Sequence, residues 1–154
     1  MCSSDLESEV RELHHQTYIM EMPYNPKMSK AYFILYVKDQ THSTEFYSYV
    51  LNLAPSLHVP GMTEFTLSED CVLGLMPQTG IQRLLGERLP DPGAADGIPR
   101  AELYLLVDDP QVYHQRALEL GAIELSELAT RNWGHRAAYS LDQDGHVMAF
   151  AEPV

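Results

Sequence analysis

Residues 31–37 read Ala-Tyr-Phe-Ile-Leu-Tyr-Val, an unbroken apolar run of strand length rich in aromatic and β-branched side chains. Such a run predicts a strand covered on both faces. The pattern then changes period. Phe46 and Val50 are four apart, as are Tyr47 and Leu51, which predicts a buried helical stripe over roughly residues 43–53. Thr41 or Ser43 would cap that helix, and Pro55 would stop it. Short strands are expected near 56–59, 64–67 and 71–76, separated by Pro60-Gly61 and Ser68-Glu69-Asp70.

Residues 77–100 hold four prolines and four glycines in 24 positions, a linker with room for a helical turn at 81–85. The opening pattern then returns. Residues 101–107 read Ala-Glu-Leu-Tyr-Leu-Leu-Val, a second buried strand. Asp109 is placed to cap a helix with Pro110 at its first position, and Gly121 suits its end. Further strands are expected at 123–128, 135–141 and 146–151, the last two joined by the turn Asp142-Gln143-Asp144-Gly145.

Val37-Lys38-Asp39 and Val107-Asp108-Asp109 are offset by 70 residues, and each opens a strand–helix–strand–strand–strand unit. An internal repeat of this kind implies two βαβββ modules in an α+β fold. Each would carry its helix on the outer sheet face, and the other faces would form a cupped mixed sheet around a ligand. Module one spans about 28–77, the linker 78–100 and module two 101–154. Residues 1–27 stand apart. Ser4 and Glu7 fit a capping box, and Leu6, Val10 and Leu13 form a narrow stripe that Pro23 and Pro26 terminate. A poorly ordered extension or a short helix is expected there.

Composition narrows the ligand. Ten Lys and Arg against 22 Asp and Glu give a net charge of −12. That disfavours nucleic acid and anionic membrane surfaces, and favours neutral or cationic small molecules. The two cysteines, Cys2 and Cys71, form no CxxC pair, so no thiolate zinc site is suggested, and Cys71 has the phase of a buried thiol. No apolar run approaches the ~20 residues of a membrane span, and no secretory h-region is evident, so a cytoplasmic setting is expected. No GxGxxG, Walker or GxSxG motif occurs, and the histidines are scattered as surface residues would be.

The residues that carry the repeat resemble the vicinal oxygen chelate superfamily, which includes glyoxalase I, extradiol dioxygenases, and fosfomycin- and bleomycin-resistance proteins. Val37-Lys38-Asp39, Ser43, Phe46-Tyr47, Val50-Leu51 and Leu53 are similar to its "VxD…SxxFYxxVLxL" run. Ala117-Leu118 through Gly121-Ala122 matches the usual "AL..GA" helix end. Trp133-Gly134-His135-Arg136, followed by Asp142-Gln143-Asp144-Gly145, resembles "WG.R…DPDG", with Gln143 where proline is usual. The resemblance implies a divalent metal held by the first and last strands of each module. Carried over, the four ligand positions fall on Tyr32, Gly74, Glu102 and Ala149. Only Glu102 ligates well, and Gly74 and Ala149 have no ligating side chain. The resemblance therefore implies a metal-free, cofactor-free binding protein of bleomycin-resistance character, working as a homodimer.

Period-two phase sorts the strands. Tyr32, Ile34 and Tyr36 should face the cup, as should Glu102, Tyr104 and Leu106, and Val147, Ala149 and Ala151. Met148 and Phe150 should face the core. Tyr32, Tyr36, Glu102, Tyr104, Trp133 and Arg136 are the ligand-binding candidates, suited to a planar or cationic molecule. Other readings of these residues stand beside that one: the tyrosines as core, and Glu102 as solvated at a strand start or as the ion partner of Arg136. The alternative functions are a glyoxalase-I-like lyase or isomerase with a non-standard metal site, and a regulatory dimer with a vestigial cup.

Overall fold

The computed structural model describes residues 26–154, so nearly all of the expected N-terminal extension lies outside the described residues. The elements run β1 (Ala31–Val37), α1 (Gln40–Leu51), β2 (Leu57–Val59), β3 (Met62–Ser68), β4 (Cys71–Pro77), α2 (Gln78–Leu85), β5 (Glu102–Leu106), α3 (Pro110–Glu119), β6 (Ile123–Thr130), β7 (His135–Leu141) and β8 (Val147–Pro153). The repeat is visible in the topology. The first sheet has strand order β1-β4-β3-β2 and the second β5-β8-β7-β6. In each the opening strand pairs parallel with the closing one, and the remaining pairs are antiparallel.

Phase decides which face is core. Leu35 and Val37 of β1, Phe65 of β3, and Leu73 and Leu75 of β4 bury their side chains against Phe46, Tyr47, Val50 and Leu51 of α1. Leu103, Ala117, Met148 and Phe150 of the second module join the same cluster, and α1 packs against α3. The two modules thus share one core. Burying each large apolar side chain stabilises the fold by about 1.5–3 kcal/mol before the entropy of ordering is subtracted.

The main helix of each module, α1 and α3, begins on an aspartate. Asp39, in extended conformation, accepts the His42 N–H at 2.9 Å, so α1 starts ahead of the expected boundary and neither Thr41 nor Ser43 is its cap. An aspartate with extended backbone can reach the third helical amide, and here it leaves Ser43 inside the helix, free to face the second module. Asp109 caps α3 by accepting the Val112 N–H at 3.4 Å, with Pro110 at the first position as expected. The C-terminal ends follow the left-handed pattern. Gly121 has φ +92°, and Ala122 N–H donates to the Ala117 carbonyl at 3.0 Å.

The segment between the modules is more ordered than a linker. Beyond α2 it carries 3₁₀ turns at Gly86–Arg88 and Pro92–Ala95. It docks through Gly97, whose carbonyl lies where a Cβ on Gly145 would stand. Gly145 also has φ +85°, so only glycine satisfies both the turn and the close approach.

The β7–β8 turn joins the modules. Asp142 is buried, with Oδ1 accepting the N–H groups of Asp144 and His146 at 2.9 and 2.8 Å. Its Oδ2 accepts the Tyr47 hydroxyl at 2.6 Å and lies 3.0 Å from His146 Nδ1. Asp144 reaches back to the Lys38 N–H at 3.0 Å, and Gln143 donates to Ser43 Oγ at 2.9 Å. Burial alone would push the Asp142 carboxyl up. The hydrogen bond and charge of His146, with the Tyr47 hydroxyl and the His146 amide, outweigh it and hold Asp142 below the usual carboxylate range. Tyr47 is pushed well up by its burial and by the adjacent Asp142.

Candidate functional site

On the second sheet, the face away from the core is built from small residues and aromatic ones. Tyr104 of β5, Ala149 of β8 and Tyr139 of β7 lie in one register line, so the two tyrosines stand two strands, about 9–10 Å, apart. Ala137, Ala149 and Ala151 are fully buried beneath this face. Trp133, in the β6–β7 loop, donates its indole N–H to the Tyr104 hydroxyl at 3.0 Å. That hydroxyl is also 2.8 Å from His135 Nδ1, and the two rings stack at 5.8 Å.

The donor inventory fixes one end of this chain: an indole N–H only donates, so the Tyr104 oxygen accepts from Trp133, while His135 Nδ1 is the hydroxyl's second partner. Trp133 is held in this chain while 53% exposed. Tyr139 is covered by Arg131, whose guanidinium carbon lies 5.2 Å from the ring centroid. Desolvation, then the charge of Glu102 and the nearby Tyr104, push the Tyr139 hydroxyl up against the opposing pull of Arg131, so it stays neutral.

The sequence-derived candidates divide into three groups. Glu102, Tyr104 and Trp133 belong to this face or its rim, with Glu102 exposed and in no ion pair among the described residues. Tyr32 and Tyr36 share the open face of β1 in the first sheet. Tyr32 is 51% exposed, with the Lys30 ammonium 5.7 Å from its ring. Tyr36 lines a cavity of about 600 Å³ at the module junction, with Lys38, Asp96, Arg100, Asp144 and His146. The third group is Arg136 alone, on the opposite face. It pairs with Glu152 at 2.9 Å and shares the phase of Phe150, which corrects the expected Glu102–Arg136 pairing. The hairpin turn sets Leu141 opposite Val147 and therefore Arg136 opposite Glu152.

Three site residues escaped the sequence reading: Arg131, His135 and Tyr139. His135 and Tyr139 carried a signal, since both share parity with Ala137 on β7. Arg131 carried none, because its reach over Tyr139 depends on the irregular β6–β7 register. Of the other histidines, His114 is buried rather than superficial, with Nε2 2.8 Å from Glu124. Cys71 is half-buried.

The donor set of the four ligand positions does not fit a divalent metal. Gly74 and Ala149 offer no ligand atom, and a Cβ added to Gly74 would already meet Ile34 Cγ1 at 3.0 Å. Among the described residues, the group of three or more ligating side chains close enough to share an ion is Asp142, Asp144 and His146. It lies at the module junction, away from this face, and both Asp142 oxygens are engaged by protein donors.

No protein-family model matches the chain, and no curated protein matches it in sequence. Its fold does have close counterparts. A glyoxalase-related enzyme from Fulvimarina pelagi superposes with a TM-score of 0.67 at 21% identity, over 79% of this chain and 86% of that one. A glyoxalase/bleomycin resistance protein/dioxygenase from Nocardioides superposes at 0.65 and 18% identity, over 94% of this chain and 93% of its own. A glyoxalase/bleomycin resistance protein/dioxygenase family enzyme from Burkholderia phytofirmans gives 0.65 and 15% identity, over 84% of this chain and all of that one. These likenesses bear out, at the level of fold, the resemblance read from the sequence.

Proposed function

We propose that this chain, which has the fold of the glyoxalase/bleomycin resistance/dioxygenase proteins, binds or sequesters a small planar molecule on the open face of its second module, without a metal. The observation that carries the reading is the hydrogen-bonded chain Trp133–Tyr104–His135. An exposed indole locked by its N–H presents a flat apolar surface already ordered for stacking, so a ligand meets a small entropic cost on binding. Each ring stacked on a ligand contributes about 0.5–1.5 kcal/mol beyond area burial. The alanines beneath keep bulk away from the rings, and Glu102 stands at the rim as a charged contact.

The reading includes a cytoplasmic location and two copies paired as a homodimer. Tyr32, Ile34, Leu57 and Val59, exposed on the first module's open face, support the pairing. A thermal-shift screen of planar small molecules, with and without divalent cations, tests the binding. A binder should stabilise the protein equally in both conditions, and Trp133→Ala and Tyr104→Ala should each weaken it. A binder that needs the cation would favour the lyase reading. One that is indifferent to both substitutions would move the site elsewhere.

A further inference from the structure

Arg131 is half-buried on the second module's open face and has no carboxylate partner among the described residues. The chain has 22 acidic residues against ten Lys and Arg, so a shortage of carboxylates is not the cause. Its Nη2 donates to Ser126 Oγ at 2.6 Å, the Ala137 carbonyl at 2.9 Å and the Glu127 carbonyl at 3.4 Å. These neutral acceptors aim the guanidinium and leave its charge uncompensated. The Nε is buried with no acceptor at all. Tyr139, beneath the guanidinium, keeps its hydroxyl proton and is a donor.

Beside Tyr139 this face therefore presents a guanidinium with no carboxylate partner and a phenol O–H, while the Glu102 carboxylate is exposed. From this we infer that the planar ligand of the second module carries an anionic oxygen, a carboxylate, phenolate or enolate, which Arg131 binds beside Tyr139 while the ligand's ring system lies along Tyr104 and Trp133. This rests on the binding reading above and fixes the sign of the ligand's charge, opposite to the one the overall acidity suggests. Glu102 lies on the same face but is exposed, so solvent screens it, whereas the half-buried Arg131 is screened less. At the Tyr139 hydroxyl the two charges oppose each other, and direct contact with the guanidinium is what selects the anion.

Trp133 is the chain's one tryptophan, so its indole N–H gives a single resolved signal at the site. Naphthoate, naphthamide and naphthylmethylammonium share one ring system and differ in charge, and each is titrated against the ¹⁵N-labelled protein. Naphthoate should bind about tenfold tighter than either of the others, despite the protein's net negative charge. Arg131→Gln should reduce naphthoate to the affinity of naphthamide and leave naphthamide unchanged. Arg131→Lys, which keeps the charge, should retain the preference and serves if the glutamine variant is unfolded. If no probe moves the indole signal, the binding reading itself fails. If the probes bind but naphthoate has no advantage, or keeps it in Arg131→Gln, the site stands and the anionic assignment is overturned.

Discussion

Replacing Tyr47 by Phe removes one oxygen from the point where the two modules are fastened. The ring stays in the shared core, and the lost group is the donor of a 2.6 Å hydrogen bond to the buried Asp142 carboxylate. A neutral donor to a charged acceptor contributes about 1.5–3 kcal/mol. His146 and two backbone N–H groups still serve Asp142, so the cost should be about 2 kcal/mol, or roughly 4–8 °C in melting temperature for a chain of this size. Urea unfolding at neutral pH, followed by far-UV circular dichroism, measures it. The pH dependence is the sharper check. Asp142 is held below the usual range, so the stability it contributes is present above its unfolded value of about 3.9 and is lost as pH falls through its folded value. Tyr47→Phe removes part of what depresses Asp142, so its folded value rises toward the unfolded one. The gap between wild type and variant should therefore be widest near neutrality and narrow as pH falls through the carboxylate range. A gap below about 0.5 kcal/mol, or one unchanged between neutral and acid, would refute the assignment of Tyr47 as a charge-assisted donor.

Gly145→Ala should cost about 1–3 kcal/mol, read from the same denaturation curves, because it combines a left-handed φ with overlap on the Gly97 carbonyl; an unchanged midpoint would mean the 86–97 segment is not docked. Elemental analysis of purified protein should find no stoichiometric divalent metal, and about one metal per chain that disappears on Glu102→Ala would sink the metal-free reading. Light scattering at micromolar concentration should report a dimer, and a monomer would contradict the proposed pairing.

Much of the fold was legible because it rests on short-range rules. Two apolar runs ending in Val-x-Asp, and the Asp109–Pro110 start of α3, are local signals that tertiary packing reinforced. Strand phase likewise placed Tyr104 and Ala149 on one face and Met148 and Phe150 on the other. What was not legible depends on distance along the chain or on irregular backbone. Tyr47 and Asp142 are separated by 95 positions, and no periodicity links them. Asp39 displaced Thr41 and Ser43 as the cap because its extended backbone, which composition does not specify, put its carboxylate in reach of the His42 N–H. Arg136 was misplaced for a different reason. Counting back from the turn was available and would have paired it with Glu152, whereas its neighbourhood to Trp133 suggested the open face.

The strand order has a consequence for how the protein is made. In each sheet the closing strand lies between the opening strand and the rest, so neither sheet can assemble until its last strand exists. During synthesis the first sheet can close once Pro77 has left the ribosome. The second waits for Val147–Pro153, while β5, β6 and β7 stand without their central neighbour. At about 5–20 residues per second, that interval lasts several seconds. Over it, the face of the first module's core that Met148 and Phe150 will cover is open to water. Nascent chains arrested before Val147 should accordingly be cut by protease within 101–146 and engage chaperones there, while chains extended past Pro153 and clear of the exit tunnel should resist.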